Sequence, residues 1–157
     1  IDTMKFSTLL KLMRFWPPFL GAGIRVKSFK PDYTEIVVQM KLYFWNRNYV
    51  GTHFGGSIYS MTDPYYMLML MNLLGRDYII WDKAANIRYK KPARGTIYAT
   101  FSLSLDQIEA LRQQVLLEKK IQPEFIIPIT NKKGEVVAEV VKVLSISRKE
   151  YSNPNSG

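Results

Sequence analysis

The sequence predicts an α+β fold in which an antiparallel sheet of about six strands encloses a long central helix. Residues 57–74 carry one charged side chain, Asp63, in an otherwise apolar run. A helix apolar on every side either spans a membrane or is buried all round. Only 11 residues follow Asp63 before Gly75, short of the roughly 20 a span needs. Alternating strand segments flank this helix on both sides, and short turns join several of them, which favours antiparallel pairing.

The elements follow in order. Residues 4–16 form an accessory amphipathic helix with Phe6, Leu9, Leu10, Met13 and Phe15 on its apolar side. Such a helix caps a sheet edge or a subunit contact, or lies on a membrane surface. Lys11, Arg14 and Pro17-Pro18 interrupt the apolar run that a secretory signal requires, so the chain is expected in the cytoplasm. Strands at 24–30 and 33–43 meet at the turn Lys30-Pro31-Asp32, and in the second Ile36, Val38, Met40 and Leu42 alternate with Glu35, Gln39 and Lys41. A loop with Asn46, Asn48, Gly51, Gly55 and Gly56 leads into the central helix. Strands near 78–91 and 96–105 precede a helix near 106–119, whose start reads as a capping box of Asp106 and Glu109. Ile108, Leu111 and Val115 give that helix one apolar side. A hairpin of 121–130 and 135–147 turns at Asn131-Lys132-Lys133-Gly134, with the glycine left-handed. Residues 152–157 read as a flexible tail on a single domain covering 1–157.

Composition narrows the chemistry. The 157 residues include no cysteine and one histidine, His53. Disulfides, thiolate nucleophiles and zinc-thiolate sites are excluded, and a histidine-rich metal site is not expected. Lys plus Arg number 22 against 13 Asp plus Glu, a formal charge of +9, so an anionic partner is expected.

Asp63 is the first candidate for chemistry. A carboxylate in apolar surroundings is costly unless paired, and burial raises its pKa. It can pair with an interior Arg or Lys, accept a bond from Thr62 or Tyr59, or serve as a general base toward water. Pro64 has no N–H, so the helix is expected to bend beside the acid. Upstream, Gly55 and Gly56 at the helix start leave backbone N–H groups open to a ligand carbonyl. Met67, Met69 and Met71 read as core filler, or as the lining of an acyl pocket.

The run Asn48-x-x-Gly51-x-x-x-Gly55-Gly56, with Asp63 seven residues on, resembles the hot-dog-fold acyl-CoA thioesterases of the phenylacetate-pathway type. The stretch from Thr52 to Met67, with Trp81-Asp82-Lys83 and Tyr89-Lys90-Lys91-Pro92, is similar to a branch labelled tetrameric acyl-CoA thioesterases. The resemblance covers about residues 24–147 and implies a sheet wrapped round a helix, in dimers or tetramers with sites at the subunit interface. It implies that Asp63 activates water or attacks the thioester, that the Gly56 N–H polarises the carbonyl, and that Asn48 positions carbonyl or water. Phe54 stands where that family has a histidine, and His53 lies one residue earlier, so a histidine role is lost or reassigned. His53, Phe54 and Gly55 fall on the substrate side of this motif. No cofactor is implied beyond the coenzyme A of the substrate.

Five basic residues and no acid occupy 83–94: Lys83, Arg88, Lys90, Lys91 and Arg94. They form a solvated sheet face or contact the phosphates of coenzyme A. In the resembling families this strand and turn lie near the pantetheine and nucleotide. Nucleic-acid binding is not expected, since no zinc pattern, recognition helix or RNP-type motif is present. Two other functions fit the same fold: a non-catalytic acyl or acyl-CoA binding module, and a hydratase or dehydratase. His53-Phe54-Gly55 is similar to the His-Phe-Pro of the latter, but Asp63 follows the histidine more closely than the acid does there.

Overall fold

The structure, a computed structural model, describes residues 4–152. Residues 1–3 lie outside it, as does the tail expected at 152–157 except for Ser152. The N-terminal segment is two helices, α1 (Phe6–Leu12) and α2 (Pro17–Ala22), joined by a 3-10 turn at Met13–Phe15. Pro17 and Pro18 open α2, where an absent N–H forfeits no hydrogen bond, so the prolines start a second helix after the first. Gly23, with φ of 76°, ends α2 in the left-handed region. The segment packs along the first strand and buries Leu10 and Phe19.

The strands are β1 (Ile24–Phe29), β2 (Glu35–Met40), β3 (Tyr78–Tyr89), β4 (Ile97–Ser102), β5 (Lys120–Ile121), β6 (Glu124–Asn131) and β7 (Val136–Arg148). They form one sheet in the order β1-β2-β4-β6-β7-β3, with β5 added beside β7 and every pair antiparallel. The seventh strand, β5, has two residues and no length for an alternation to show in sequence. Period-two alternation sends Ile36, Val38 and Met40, then Ile97, Ala99 and Phe101, then Ala138, Val140, Leu144 and Ile146 into the core. The β6–β7 turn is as expected: Gly134 takes φ of 79°, and the Asn131 side chain accepts from the Lys133 and Glu135 amides.

Against this face lies the central helix, in two pieces: α3 (Gly55–Ser60) and α4 (Tyr65–Leu74). The break falls at Pro64, as its missing N–H requires. Tyr65 lies 5.1 Å from the Phe101 ring and Tyr66 stacks 4.5 Å from Phe125, fixing α4 on the sheet. The enclosure is incomplete. Met69 is fully buried, but Met67 is half-buried and Met71 is 50% exposed. Residues two apart on a helix point about 200° apart, so the three methionines share no face. Met67 and Met71 instead line an open groove of about 570 Å³ with Tyr78, Ile79 and Trp81.

Helix α5 (Leu105–Glu118) has its cap two residues earlier than expected. Ser104 is the N-cap and Gln107 its reciprocal partner, in place of Asp106 and Glu109. Arg112 of α5 donates to the Leu73 and Leu74 carbonyls at 2.7 and 3.2 Å, capping the end of α4. No helix of the described residues is long and apolar enough to cross a membrane.

Tyr65 carries a buried hydroxyl without a hydrogen-bond partner among the described residues. Burial therefore raises its pKa far above the ordinary range. Tyr65→Phe removes the unpaired dipole and keeps the ring, so stability should hold or rise by about 1 kcal/mol. Urea unfolding of the two proteins measures this; a loss of similar size would show that the hydroxyl is bonded.

Candidate active site

The loop between β2 and α3 is built on Asn48. Its Oδ1 accepts from the Val50 and Thr52 amides at 3.2 and 3.0 Å. Its Nδ2 donates to Thr52 Oγ1 at 2.9 Å and to the His53 carbonyl at 3.4 Å. Every polar position of the amide is used, so Asn48 shapes the loop rather than reaching for a ligand. Gly51, with φ of 78°, completes the turn.

His53 ties this loop to the turn after β3. Its amide donates to the Ala93 carbonyl at 2.9 Å, and its ring Nε2 lies 2.6 Å from the Gly95 carbonyl. That carbonyl can only accept, so Nε2 carries the proton and Nδ1 is left as a buried acceptor without a partner among the described residues. Next along the chain, the Tyr89 hydroxyl donates to the Gly55 carbonyl at 3.0 Å. A Cβ on Gly55 would meet that hydroxyl oxygen at 2.9 Å, so glycine permits the contact. A Cβ on Gly56 would meet the Phe54 ring at 2.7 Å. Phe54, 59% exposed, is the N-cap of α3, and its carbonyl accepts from Ser57 and Ile58. The earlier amides, of Gly55 and Gly56, have no acceptor among the described residues.

A pocket of about 490 Å³ lies between these walls. Asn48, Thr52, His53 and Gly55 form one side, and Tyr89, Lys90, Lys91 and Arg94 the other. Lys90 pairs with Glu139 at 3.2 Å and Lys91 with Glu135 at 2.7 Å. The Lys91 hydrogen bond holds the Glu135 carboxyl below its usual range. Arg94 has no carboxylate partner among the described residues and is the pocket's uncompensated charge. Arg88 lies in β3 opposite Glu139, outside the pocket lining.

Asp63 also lies outside it, and the buried ion is not the acid. The Asp63 side chain is 52% exposed, whereas that of Lys142 is fully buried. Lys142 occupies an inward position of β7, and its ammonium donates to the Asp63 carbonyl at the helix break. It also lies 3.0 Å from Asp63 Oδ1 and 3.1 Å from Asp82 Oδ1. The Tyr59 hydroxyl donates to Asp63 Oδ1 at 3.4 Å, and burial followed by the two carboxylates raises its pKa. Of the partners open to Asp63, an interior lysine and Tyr59 are realised, while Thr62 bonds the Tyr59 carbonyl. Lys142 carries a signal in the sequence: the alternation Ala138, Val140, Lys142, Leu144 puts the lysine in the inward row.

The fold is shared with known structures. A protein of unknown function from Pseudomonas aeruginosa, described as a probable thioesterase, superposes with a TM-score of 0.79 at 18% identity, covering 92% of this chain and 97% of that one. A thioesterase from Haemophilus influenzae gives 0.66 at 14%, covering 93% and 92%. A mutant of the phenylacetic acid degradation protein PaaI from Thermus thermophilus gives 0.56 at 17%, covering 82% and 97%. The fold is therefore the hot-dog fold that these structures share. The chain belongs to the family described as domain of unknown function DUF4442, whose model matches residues 4–146. No curated protein matches the sequence.

Two predictions follow from these contacts. Asp63→Asn or Asp82→Asn alone leaves Lys142 one carboxylate, whereas the double variant leaves a buried ammonium unpaired. The double variant should lose about 3–5 kcal/mol, more than the two single losses together; additive losses in urea titrations would refute the coupling. The second concerns His53, whose imidazole burial pushes below its ordinary 6.5, against the opposing Gly95 hydrogen bond. The unfolded chain then takes up the proton first, so the histidine's contribution is complete above 6.5 and declines as the pH falls below it. The urea midpoint should drop between about pH 7 and about pH 5, and His53→Asn should flatten that drop.

Proposed function

We propose that the protein hydrolyses an acyl-CoA or a related thioester. One observation carries the reading: the glycine loop and the basic turn form two walls of a single pocket. That pocket is lined by Gly55 at one side, with the open Gly56 amide next along the chain, and by Arg94, Lys90 and Lys91, suited to phosphates, at the other. Known proteins of this fold include several named thioesterases, which supports the same class. In this reading the Gly56 N–H polarises the thioester carbonyl. Asp63 takes a proton from water as the water oxygen attacks, or attacks the carbonyl carbon itself. The C–S bond then breaks: on the first route Asp63 returns the proton to the departing thiolate, and on the second water cleaves the acyl anhydride left on Asp63 and supplies the thiolate's proton. Asn48 acts through the loop it shapes, and His53 by holding the walls together.

The acid and the pocket belong to different parts of one chain, so the proposal includes a second copy. β3 is an edge strand of twelve residues, with Trp81 67% and Tyr89 55% exposed. Long unpaired edges are normally covered. Pairing of β3 with β3 in a homodimer, or in a tetramer of such dimers, covers this edge and the groove beside Met67 and Met71. It also brings the Asp63 region of one copy toward the pocket of the other.

Purified protein should release free thiol from members of an acyl-CoA panel. Asp63→Asn should lower kcat by about 10²–10⁴-fold. If Asp63 and the pocket work across the interface, mixing Asp63→Asn subunits with Arg94→Glu subunits should recover part of the rate. No turnover on the panel, together with saturable acyl-CoA binding that Asp63→Asn leaves unchanged, would identify a binding module instead.

A further inference from the structure

The pocket, the Lys142 cluster and the β3 edge leave one large surface without a role. It lies at the opposite edge of the sheet, where α1 and α2 cover β1. Phe15, Trp16 and Leu20 stand out from these helices, 58%, 54% and 58% exposed. Phe44 and Trp45, 78% and 56% exposed, project from the loop after β2. Tyr43 stacks on Trp45 at 4.3 Å and Phe44 meets it edge-on at 5.1 Å, so the loop presents a packed aromatic group.

Basic side chains lie among these rings. Arg14 and Arg25 line a hollow with Lys11, Phe15 and Lys27, and the same two arginines line the next with Leu20, Tyr43 and Trp45. Trp45 continues into a third hollow with Arg47 and Phe54, at the start of α3. The face is thus continuous from α1 to the glycine loop. The sequence has no Asp or Glu between residues 3 and 31, or between 36 and 62.

We propose that this face docks the protein peripherally on an anionic lipid bilayer. Aromatic rings and leucines enter the boundary between headgroups and acyl chains, while Lys and Arg stay at the phosphate level. A second copy is a poorer occupant. A two-fold interface places the same patch on both subunits, and here that would set cations against cations with no acid between them. The proposal does not rest on thioester hydrolysis, because lipid binding is read without turnover. Docking would set the mouth of the glycine loop against the bilayer.

The test is sedimentation of the full chain with vesicles of phosphatidylcholine, with and without phosphatidylglycerol. Binding should require the anionic lipid and weaken with salt. Phe15→Ser combined with Trp16→Ser should reduce it at least tenfold, as should Lys11→Glu combined with Arg14→Glu. Should either double variant misfold, tryptophan quenching by brominated lipid in the native chain decides. Trp16 and Trp45 should be quenched, and Trp81, on the far edge strand, should not be; variants retaining one tryptophan at a time separate them. Three results overturn the proposal: no binding to anionic vesicles, binding that the aromatic variant leaves unchanged, or quenching confined to Trp81. A change in sedimenting mass without a change in vesicle binding would assign the face to self-association, and tighter binding of an oligonucleotide than of vesicles would assign it to nucleic acid; each equally overturns it.

Discussion

One buried ammonium holds the centre of this molecule. Lys142 leaves the sheet at an inward position of β7 and meets the chain where α3 gives way to α4. Pro64 interrupts the helix there, and the lysine supplies the Asp63 carbonyl with a donor from across the core. Its other contacts are two carboxylates, Asp63 on the helix break and Asp82 on β3. A lone ammonium in this interior would be untenable; with three oxygens around it, it becomes a joint between helix, central strand and edge strand. The register of β3 on β7 shifts between Asp82 and Ala84, next to that joint. A bulge at such a point bends the strand and re-aims the side chains beside it.

That joint sets the geometry of the proposed chemistry. Asp63 is held from two sides, by an ammonium and a phenol, while about half of its side chain faces out. A carboxylate so placed stays oriented and accessible, which a fully buried acid would not. Gly56 lies seven residues earlier, about 10 Å along a helix, next to Gly55, which lines the pocket wall that Tyr89 and His53 fasten. The acid and the open amide thus face different surroundings within one chain.

The sequence disclosed features whose cause is local and concealed those that depend on register. The break at Pro64 and the left-handed Gly134 were legible because one residue's covalent structure dictates each. The cap of α5 is ambiguous in the sequence because Asp106 with Glu109 and Ser104 with Gln107 both satisfy the same spacing, and a template cannot choose between overlapping matches. Asp63 stands out in the sequence as a lone charge, yet half of its side chain is exposed. An apolar sequence around an acid does not tell which side of the helix faces the sheet. The run 83–94 was rightly read as basic, but Glu135 and Glu139 arrive from β7 through long-range pairing. The glycine loop was recognised by its spacing, whereas the use of Asn48 to shape it depends on bonds to Val50, Thr52 and His53 that spacing alone does not contain.

The same pairing redistributes the charge that first pointed to an anionic partner. Near the pocket, two of the three cations are balanced by carboxylates, so Arg94 remains the fixed positive site there. Exposed ion pairs contribute little and exchange readily with water, so Lys90 and Lys91 can turn to a phosphate at small cost. Around α1, α2 and the loop after β2, the sequence offers no nearby acid at all. A small, partly compensated basic site beside a pocket suits one phosphorylated ligand. A broad uncompensated face set with tryptophan and phenylalanine suits an extended anionic surface. The net charge of +9 therefore divides into two requirements, one beside the pocket and one on the face formed by α1, α2 and the loop after β2.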